Sequence, residues 1–454
     1  MGDMPVPAEA LWGASTQRAV LNFPISGRPV DRKIIHAYGL IKWAAARANG
    51  DLEIVDPERT KIIEKAAKEV FEGKLDAHFV VDFFQTGSGT STNMNVNEVI
   101  ANRCSQMVGS EIGSKNPVHP NDDVNQSQSS NDTFPTAIHL ATGLAIRNQL
   151  LPALESLRDS LLAKSQEFHG ILKIGRTHLM DATPIRLGQE FSGYARQIDL
   201  ATVRANKALK AILELPLGGT AVGTGLNCHP EFPGKAIAFL VEKTGIEFVE
   251  AQNHFEAQAA RDAVVEVSGQ LKTIAVSLFK IANDIRWLSS GPRCGIGEIS
   301  LPATQPGSSI MPGKVNPVMA EAMMQVCAQV IGNDATITWG AANGNFELNV
   351  MMPVMAQNLL ESFRLLTTAS SILRERCIEG IQANEARCQE LIEWSISMVT
   401  SLAPIIGYET ASKIAKQSIE TGKTVRQLCE EMEVLPPDQL ERALDPARMA
   451  DPGV

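Results

Sequence analysis

The sequence predicts a mainly α protein organised around a central bundle of five long helices. Three observations carry this. Apolar residues recur at intervals of three, four or seven over five long stretches. The apolar faces are wide and rich in Ala, Met and Leu, as expected of helices that bury against more than one neighbour. At 454 residues the chain is also too long for one compact core. Three domains are expected: 1–127, mixed but mostly helical; 128–383, the long-helix bundle; and 384–454, a small C-terminal helical domain.

In chain order, Leu11-Trp12-Gly13-Ala14-Ser15-Thr16-Gln17-Arg18 is polar and turn-like. Ile34, Ile35, Tyr38, Ile41 and Ala45 mark a helix from Asp31 to Ala48, and a second runs from Pro57 to Gly73. Phe79-Val80-Val81-Asp82-Phe83-Phe84 reads as a short extended run entering a glycine-rich turn, with a helix from Met94 to Met107 beyond it. The long stretches follow. Leu140 to Leu161 and Phe191 to Ile212 carry the first two, and Ala263 to Ile285 the third. Met319 to Val330 and Val350 to Ile372 carry the last two, and the methionines there are core filler. Helices of roughly 25 to 30 residues are about 40 Å long. After Asn384 shorter helices are broken at Gly407-Tyr408 and Pro436-Pro437.

A formal charge of −10 argues against nucleic acid and anionic membranes as partners. Any anion site must then be built from local cations and backbone amides. No apolar run approaches the length of a membrane span. No basic stretch followed by an apolar core opens the chain, so a cytoplasmic location is expected. Met1-Gly2 begins as a myristoylation motif would, but Val6 stands where Ser or Thr is required. The seven cysteines are scattered and never form a CxxC pair, which suggests free thiols and no iron–sulfur cluster. The eight histidines lack metal-ligand spacing. No metal and no cofactor are expected.

Four segments combine small residues, hydroxyls and amides. The first is Thr86-Gly87-Ser88-Gly89-Thr90-Ser91-Thr92-Asn93-Met94-Asn95. Alone it reads as a hydrophilic loop before a helix; as a site, its amides and hydroxyls can hold a carboxylate. The second runs from His119-Pro120-Asn121-Asp122 to Ser129-Ser130-Asn131-Asp132. It reads as an N-cap cluster for the long helix after Phe134, and capping and ligand binding use the same helix end. The third, Gly175-Arg176-Thr177-His178-Leu179-Met180-Asp181-Ala182-Thr183-Pro184, places a histidine in a polar loop. The fourth, Gly307 to Pro317, has paired serines, Pro-Gly, a lysine and Asn-Pro. It suits a mobile loop that meets an anion at a helix N-terminus. Convergence of all four in an elongated bundle requires neighbouring subunits.

The fourth segment, Gly307-Ser308-Ser309-Ile310-Met311-Pro312-Gly313-Lys314-Val315-Asn316-Pro317, resembles the signature of the fumarase/aspartase superfamily. With Gly313 and the surrounding segments, it is most similar to the class II fumarases, over about Leu11 to Ala450. The resemblance implies the three-domain fold of that family, whose helical bundle packs into a homotetramer core with active sites shared between subunits. It implies reversible hydration of fumarate to L-malate, with a small dicarboxylate as the only partner besides further copies of the chain. By resemblance Ser308 is the base, His178 the acid, and Glu321 the carboxylate that pairs with the histidine. Ser88, Gly89, Thr90, Ser129, Ser130, Asn131, Thr177, Ser309, Lys314, Val315 and Asn316 match substrate-binding positions. His119, Pro120, Asn121 and Asp122 match a second anion site. The nearest rival is aspartate ammonia-lyase, which Ser91-Thr92 resembles locally. Ser88, Thr90, Ser130 and Gly218-Gly219-Thr220 follow the fumarase pattern instead. Asp82-Phe83-Phe84 stands where many class II fumarases have an apolar pair and Trp.

Overall fold

The computed structural model describes residues 2–452. Met1, of the Met1-Gly2 start, and residues 453 and 454, at the end of the expected third domain, lie outside the described residues.

The first helices are α1 (Ala14–Asn22), α2 (Arg32–Asp51), α3 (Pro57–Phe71) and α4 (Thr90–Val108). Asp31 and Asp56 cap α2 and α3 by accepting N–H groups from their first turns. The α4 helix starts four residues before its expected position. Gly89 sits at its N-cap with φ 74°, so Thr90, Ser91 and Thr92 are helical and not loop. The expected extended run 79–84 makes only an isolated bridge, Asp82 to Pro29. It turns because the Asp82 carboxylate accepts the backbone N–H groups of Ser26, Gly27 and Phe84. Burial acts to raise that carboxyl, but these bonds and the Ser26 hydroxyl together hold it below the usual carboxylate range.

The long helices then appear. α5 (Ser130–Ala145) passes through a π-turn at Ile146–Leu150 into α6 (Leu151–Glu167). Pro152 has no N–H for the carbonyl four residues back, and the wider turn before it accommodates that loss. α5 begins at Ser130, four residues ahead of Phe134. Next come an antiparallel hairpin of β1 (Leu172–Thr177) and β2 (Met180–Arg186), and α7 (Leu187–Ala211). After α8 (Phe232–Thr244) and α9 (His254–Ala259) run α10 (Asp262–Leu288), α11 (Val318–Ala341) and α12 (Met352–Arg376). The chain ends in shorter helices, among them α13 (Glu385–Trp394). Together α5–α6, α7, α10, α11 and α12 supply five long helical runs among the described residues, as the periodicity predicts.

The chain forms two compact units, each drawn from three stretches of sequence: residues 1–152, 202–275 and 327–367, and residues 153–201, 276–326 and 368–454. In the first, α2 packs on α3, α5 and α8. Ile34, Ile41, Tyr38 and Phe134 are fully buried there, the two rings tilted at 6.2 Å. In the second, a core of Ile174, Ile392, Met398, Leu402, Ile414 and Leu428 anchors the hairpin beside α13. All seven cysteines are free. Among the described residues no helix is long and apolar enough to cross a membrane.

Candidate active site

In the first unit, two of the four segments come together. Ser88 Oγ lies 2.8 Å from Thr90 Oγ1, which lies 2.7 Å from Ser130 Oγ. Thr90 opens α4 and Ser130 opens α5, so two helix N-termini meet at a chain of three hydroxyls. Their dipoles and free N–H groups favour a carboxylate at that point. Ser129 is the N-cap of α5: its hydroxyl accepts the Asn131 N–H at 3.2 Å, and its own N–H donates to Asp132 at 2.9 Å. The Asn131 amide donates to the Ala221 carbonyl at 2.8 Å.

Asp132 is the residue whose role sequence reasoning missed here. It is fully buried, and its second oxygen accepts the N–H groups of Gly218 and Thr220, each at 3.0 Å. Burial raises its pKa, while these three backbone N–H bonds work the other way. The carboxylate thus ties the α5 start to the Gly218-Gly219-Thr220 turn.

His119 caps the π-turn at Pro120–Val124. Its Nδ1 accepts the N–H groups of Asn121 and Asp122 at 3.3 and 3.1 Å, which places the ring proton on Nε2. The Asp122 carboxylate 3.2 Å away therefore receives no proton from Nδ1. His119, Pro120 and Asn121 line a cleft of about 760 Å³ that also carries Arg18 and Lys115.

In the second unit the third segment is a hairpin, not the polar loop its composition suggests. Thr177 pairs with Met180, leaving His178 and Leu179 as a two-residue turn with φ 59° and 60°. Positive φ at both central positions is what a right-twisted hairpin demands, and Asn-Gly usually supplies it. A histidine and a leucine held there are strained, at a cost on the order of 1–2 kcal/mol per residue. The surroundings enforce the shape. Arg176 forms a two-pronged pair with Glu298 at 2.9 and 3.0 Å, and Glu298 is fully buried. Lys173 reaches Glu298 at 3.3 Å and Glu190 at 3.1 Å. From the other strand, the Asp181 carbonyl accepts the Ser397 hydroxyl at 3.0 Å. Thr177 and His178 are exposed at the tip.

The fourth segment is a loop closed by its own backbone. The Gly307 N–H donates to the Lys314 carbonyl at 2.8 Å, and the Asn316 amide donates to the Gly307 carbonyl at 2.7 Å. A Cβ on Gly307 would stand 2.4 Å from the Lys314 carbonyl, so only glycine permits this closure. Inside the loop, Ser308 Oγ accepts the N–H groups of Ile310 and Met311 at 3.2 and 3.0 Å. Ser309, Lys314 and Val315 are exposed, and Asn316 leads into α11, whose first turn carries Glu321. Among the described residues His178 and Glu321 share no hydrogen bond or ion pair. The single chain thus brings Ser88, Thr90, Ser129, Ser130 and Asn131 together, but joins neither His178 to Glu321 nor the hairpin tip to the serine loop by such a bond.

A family model described as "Lyase" matches residues 2–332, and one described as "Fumarase C C-terminus" matches residues 398–451. A "Fumarate hydratase class II" of Neisseria meningitidis is 52% identical over 452 residues, covering 100% of this chain and 98% of that protein. One from Mycobacterium tuberculosis is 55% identical over 457 residues, covering 99% and 94%. The chain belongs to the class II fumarase family of lyases. Solved structures of the family agree. A recombinant class II fumarase from Schistosoma mansoni superposes with a TM-score of 0.96 at 39% identity, covering 100% of this chain and 98% of that one. A fumarate lyase:delta crystallin from Brucella melitensis gives 0.96 at 46% identity, covering 99% and 98%. The mainly α class II fumarase fold expected from the sequence is therefore the fold of this chain.

Proposed function

We propose that the chain is a fumarate hydratase that interconverts L-malate with fumarate and water. The observation that carries this reading is Ser308, whose oxygen accepts two backbone N–H groups inside a lysine-bearing loop. A serine is a poor base unless its alkoxide is stabilised, and two fixed donors contribute to that stabilisation, with Lys314 carried in the same loop. The Ser308 alkoxide takes the proton from C3 of malate. The electron pair moves into the neighbouring carboxylate, giving an aci-carboxylate that Lys314 and the loop amides hold. The pair then forms the C2–C3 double bond as hydroxide leaves C2 on the opposite face. His178 donates its proton to that hydroxide, and water departs.

The remaining residues hold the dianion in this reading. Ser88, Gly89, Thr90, Ser129, Ser130 and Asn131 receive one carboxylate at the paired helix N-termini. Thr177, Ser309, Lys314, Val315 and Asn316 serve the other. The His119–Asp122 turn is a second anion site, served by Arg18 and Lys115 across its cleft.

The reading includes a homotetramer whose sites draw segments from several protomers, with Glu321 of one chain pairing His178 of another. Supporting it are apolar side chains left open on a single chain: Trp339 is 72% exposed and Phe346 92%. An apolar cleft of about 440 Å³, lined by Phe83, Phe84, Trp339, Val350 and Val354, adds to that surface. The division at residues 127/128 and 383/384, a cytoplasmic location and a place in the tricarboxylic acid cycle belong to the same reading. L-malate and L-aspartate supplied separately to the purified chain test it, with the ultraviolet absorbance of fumarate as readout. Malate alone should react; reaction with aspartate alone would make the chain an ammonia-lyase.

A further inference from the structure

Helix α2 buries three polar side chains on one face, Tyr38, Lys42 and Asn49, at spacings of four and seven. All three reach the chain around the start of α5. The Tyr38 hydroxyl lies 3.3 Å from Thr133 Oγ1. The Asn49 amide donates to the Gln126 carbonyl at 3.0 Å, and its oxygen accepts the Ser127 hydroxyl at 2.8 Å. Lys42 Nζ donates to Asn125 Oδ1 at 3.1 Å and to Gln128 Oε1 at 3.0 Å. The turn that delivers Ser129 is therefore gripped from α2.

The ammonium fixes which way two amides face, because it has only donors to offer. Asn125 and Gln128 turn their oxygens toward it and their NH₂ groups onto the turn itself. Asn125 Nδ2 donates to the Gln128 carbonyl at 3.1 Å, and Gln128 Nε2 to the Val124 and Gln126 carbonyls at 3.2 and 2.9 Å. Asn125 Oδ1 also accepts from Asn93 and Asn97 of α4 at 3.0 and 3.2 Å. Lys42 thus stands where α2 meets both helices whose N-termini converge at Thr90 and Ser130.

Its charge lacks a direct counter-ion. The buried Lys164 and Lys173 each have carboxylates in contact, Glu167 at 2.8 Å for the first and Glu190 and Glu298 for the second. Lys42 is 0% exposed and makes no ion pair among the described residues. Asp132, the carboxylate that acts on it through space, gives its oxygens to three backbone N–H groups. Burial brings the Lys42 ammonium down to about 7, with Asp132 opposing the shift. An uncompensated buried cation is costly. A dianion bound at the adjacent helix N-termini would supply the missing negative charge.

We infer that Lys42 is a positioning residue for substrate: through Asn125 and Gln128 it sets the Ser129–Asn131 segment and places positive charge behind the carboxylate bound there. This rests on the fumarate–malate reading. Lys42→Met keeps the side-chain length and removes the charge. Steady-state kinetics should show KM for malate and fumarate rising about tenfold or more while kcat falls less than about threefold. Lys42→Arg should restore most of the loss; a KM as high as that of the Met variant would overturn the role of charge. A purely structural lysine predicts a lower Tm with KM within about twofold of wild type, and that result overturns the inference. If Lys42→Met fails to fold, Lys42→Gln decides, because it keeps an N–H donor toward Asn125 and Gln128 and removes the charge. A raised KM there supports the inference and an unchanged one overturns it. A wild-type chain inert toward malate would instead remove the functional reading. Succinate binding by calorimetry to wild type and Lys42→Met would then test the charge alone: weaker binding by the variant supports it, and no difference overturns it.

Discussion

Gly89 and Gly313 lie in two of the candidate segments, and both have left-handed backbone, with φ 74° and 79°. A Cβ on Gly89 would fall 1.9 Å from the Phe134 ring, whereas one on Gly313 would meet nothing within 4 Å. The first glycine is locked between α4 and α5. The second is free on an exposed loop. The contrast extends to neighbouring groups: Ser130 and Asp132 are buried and bonded to other elements, while among the described residues Ser308 is bonded only within its own loop. The lesson is a division of labour. A carboxylate cradle gains from rigidity that costs nothing at the moment of binding. A base that must close on its substrate and release product gains from a loop tied at its ends and free between them.

The largest effect should come from Ser308→Ala. Turnover should fall about a thousandfold or more with KM changed little, because the proposed mechanism uses the hydroxyl in the chemical step. Retention of most of kcat would remove Ser308 from the mechanism. Gly89→Ala should follow, destabilising the protein by about 3 kcal/mol or more through the Phe134 clash and the strained φ. Urea unfolding measures it, and an unchanged midpoint would show that the cradle is not rigid.

His139 of α5 sharpens the same contrast through pH. Burial, aided by the nearby Arg261 charge, pushes its pKa from 6.5 down to about 4. Between those values the unfolded chain binds the proton and the folded chain does not. Stability should therefore fall as pH drops from 6.5 to 4, by about 3 kcal/mol, and stay level for this group above 6.5. Denaturation at pH 7, 5 and 4 should show the slope, and His139→Asn should flatten it. The smallest effect is expected of Gly313→Ala. Its strain, about 1 kcal/mol, should fall on the exposed loop alone, lowering kcat severalfold and leaving Tm within about 1 °C.

Much of this was legible before the fold was known. Apolar periodicity located all five long helical runs, and the four polar segments stood out by composition. What stayed hidden had physical reasons. The His178–Leu179 turn contains neither Asn nor Gly, so nothing announced a hairpin; its shape is imposed by the Arg176–Glu298 pair, 122 residues apart in sequence. The start of α4 was misplaced because a left-handed glycine serves as its cap and hydroxyl residues fill its first turn. Lys42 lies beside Ile41 in an apolar stripe whose periodicity hides it, although a charge on such a face is itself a signal. Asp132 looked like one more capping residue, and its grip on Gly218 and Thr220 depends on tertiary structure alone.

The central claim is that the loop serine Ser308 and the hairpin histidine His178 of one chain serve different active sites. Ser308→Ala and His178→Asn should each be inactive alone. Unfolded, mixed and refolded together, they should regain malate dehydration, because some sites in a mixed assembly receive an intact serine loop from one protomer and an intact histidine from another. No recovery from the mixture, with both variants refolding into assemblies of wild-type size, would contradict the account.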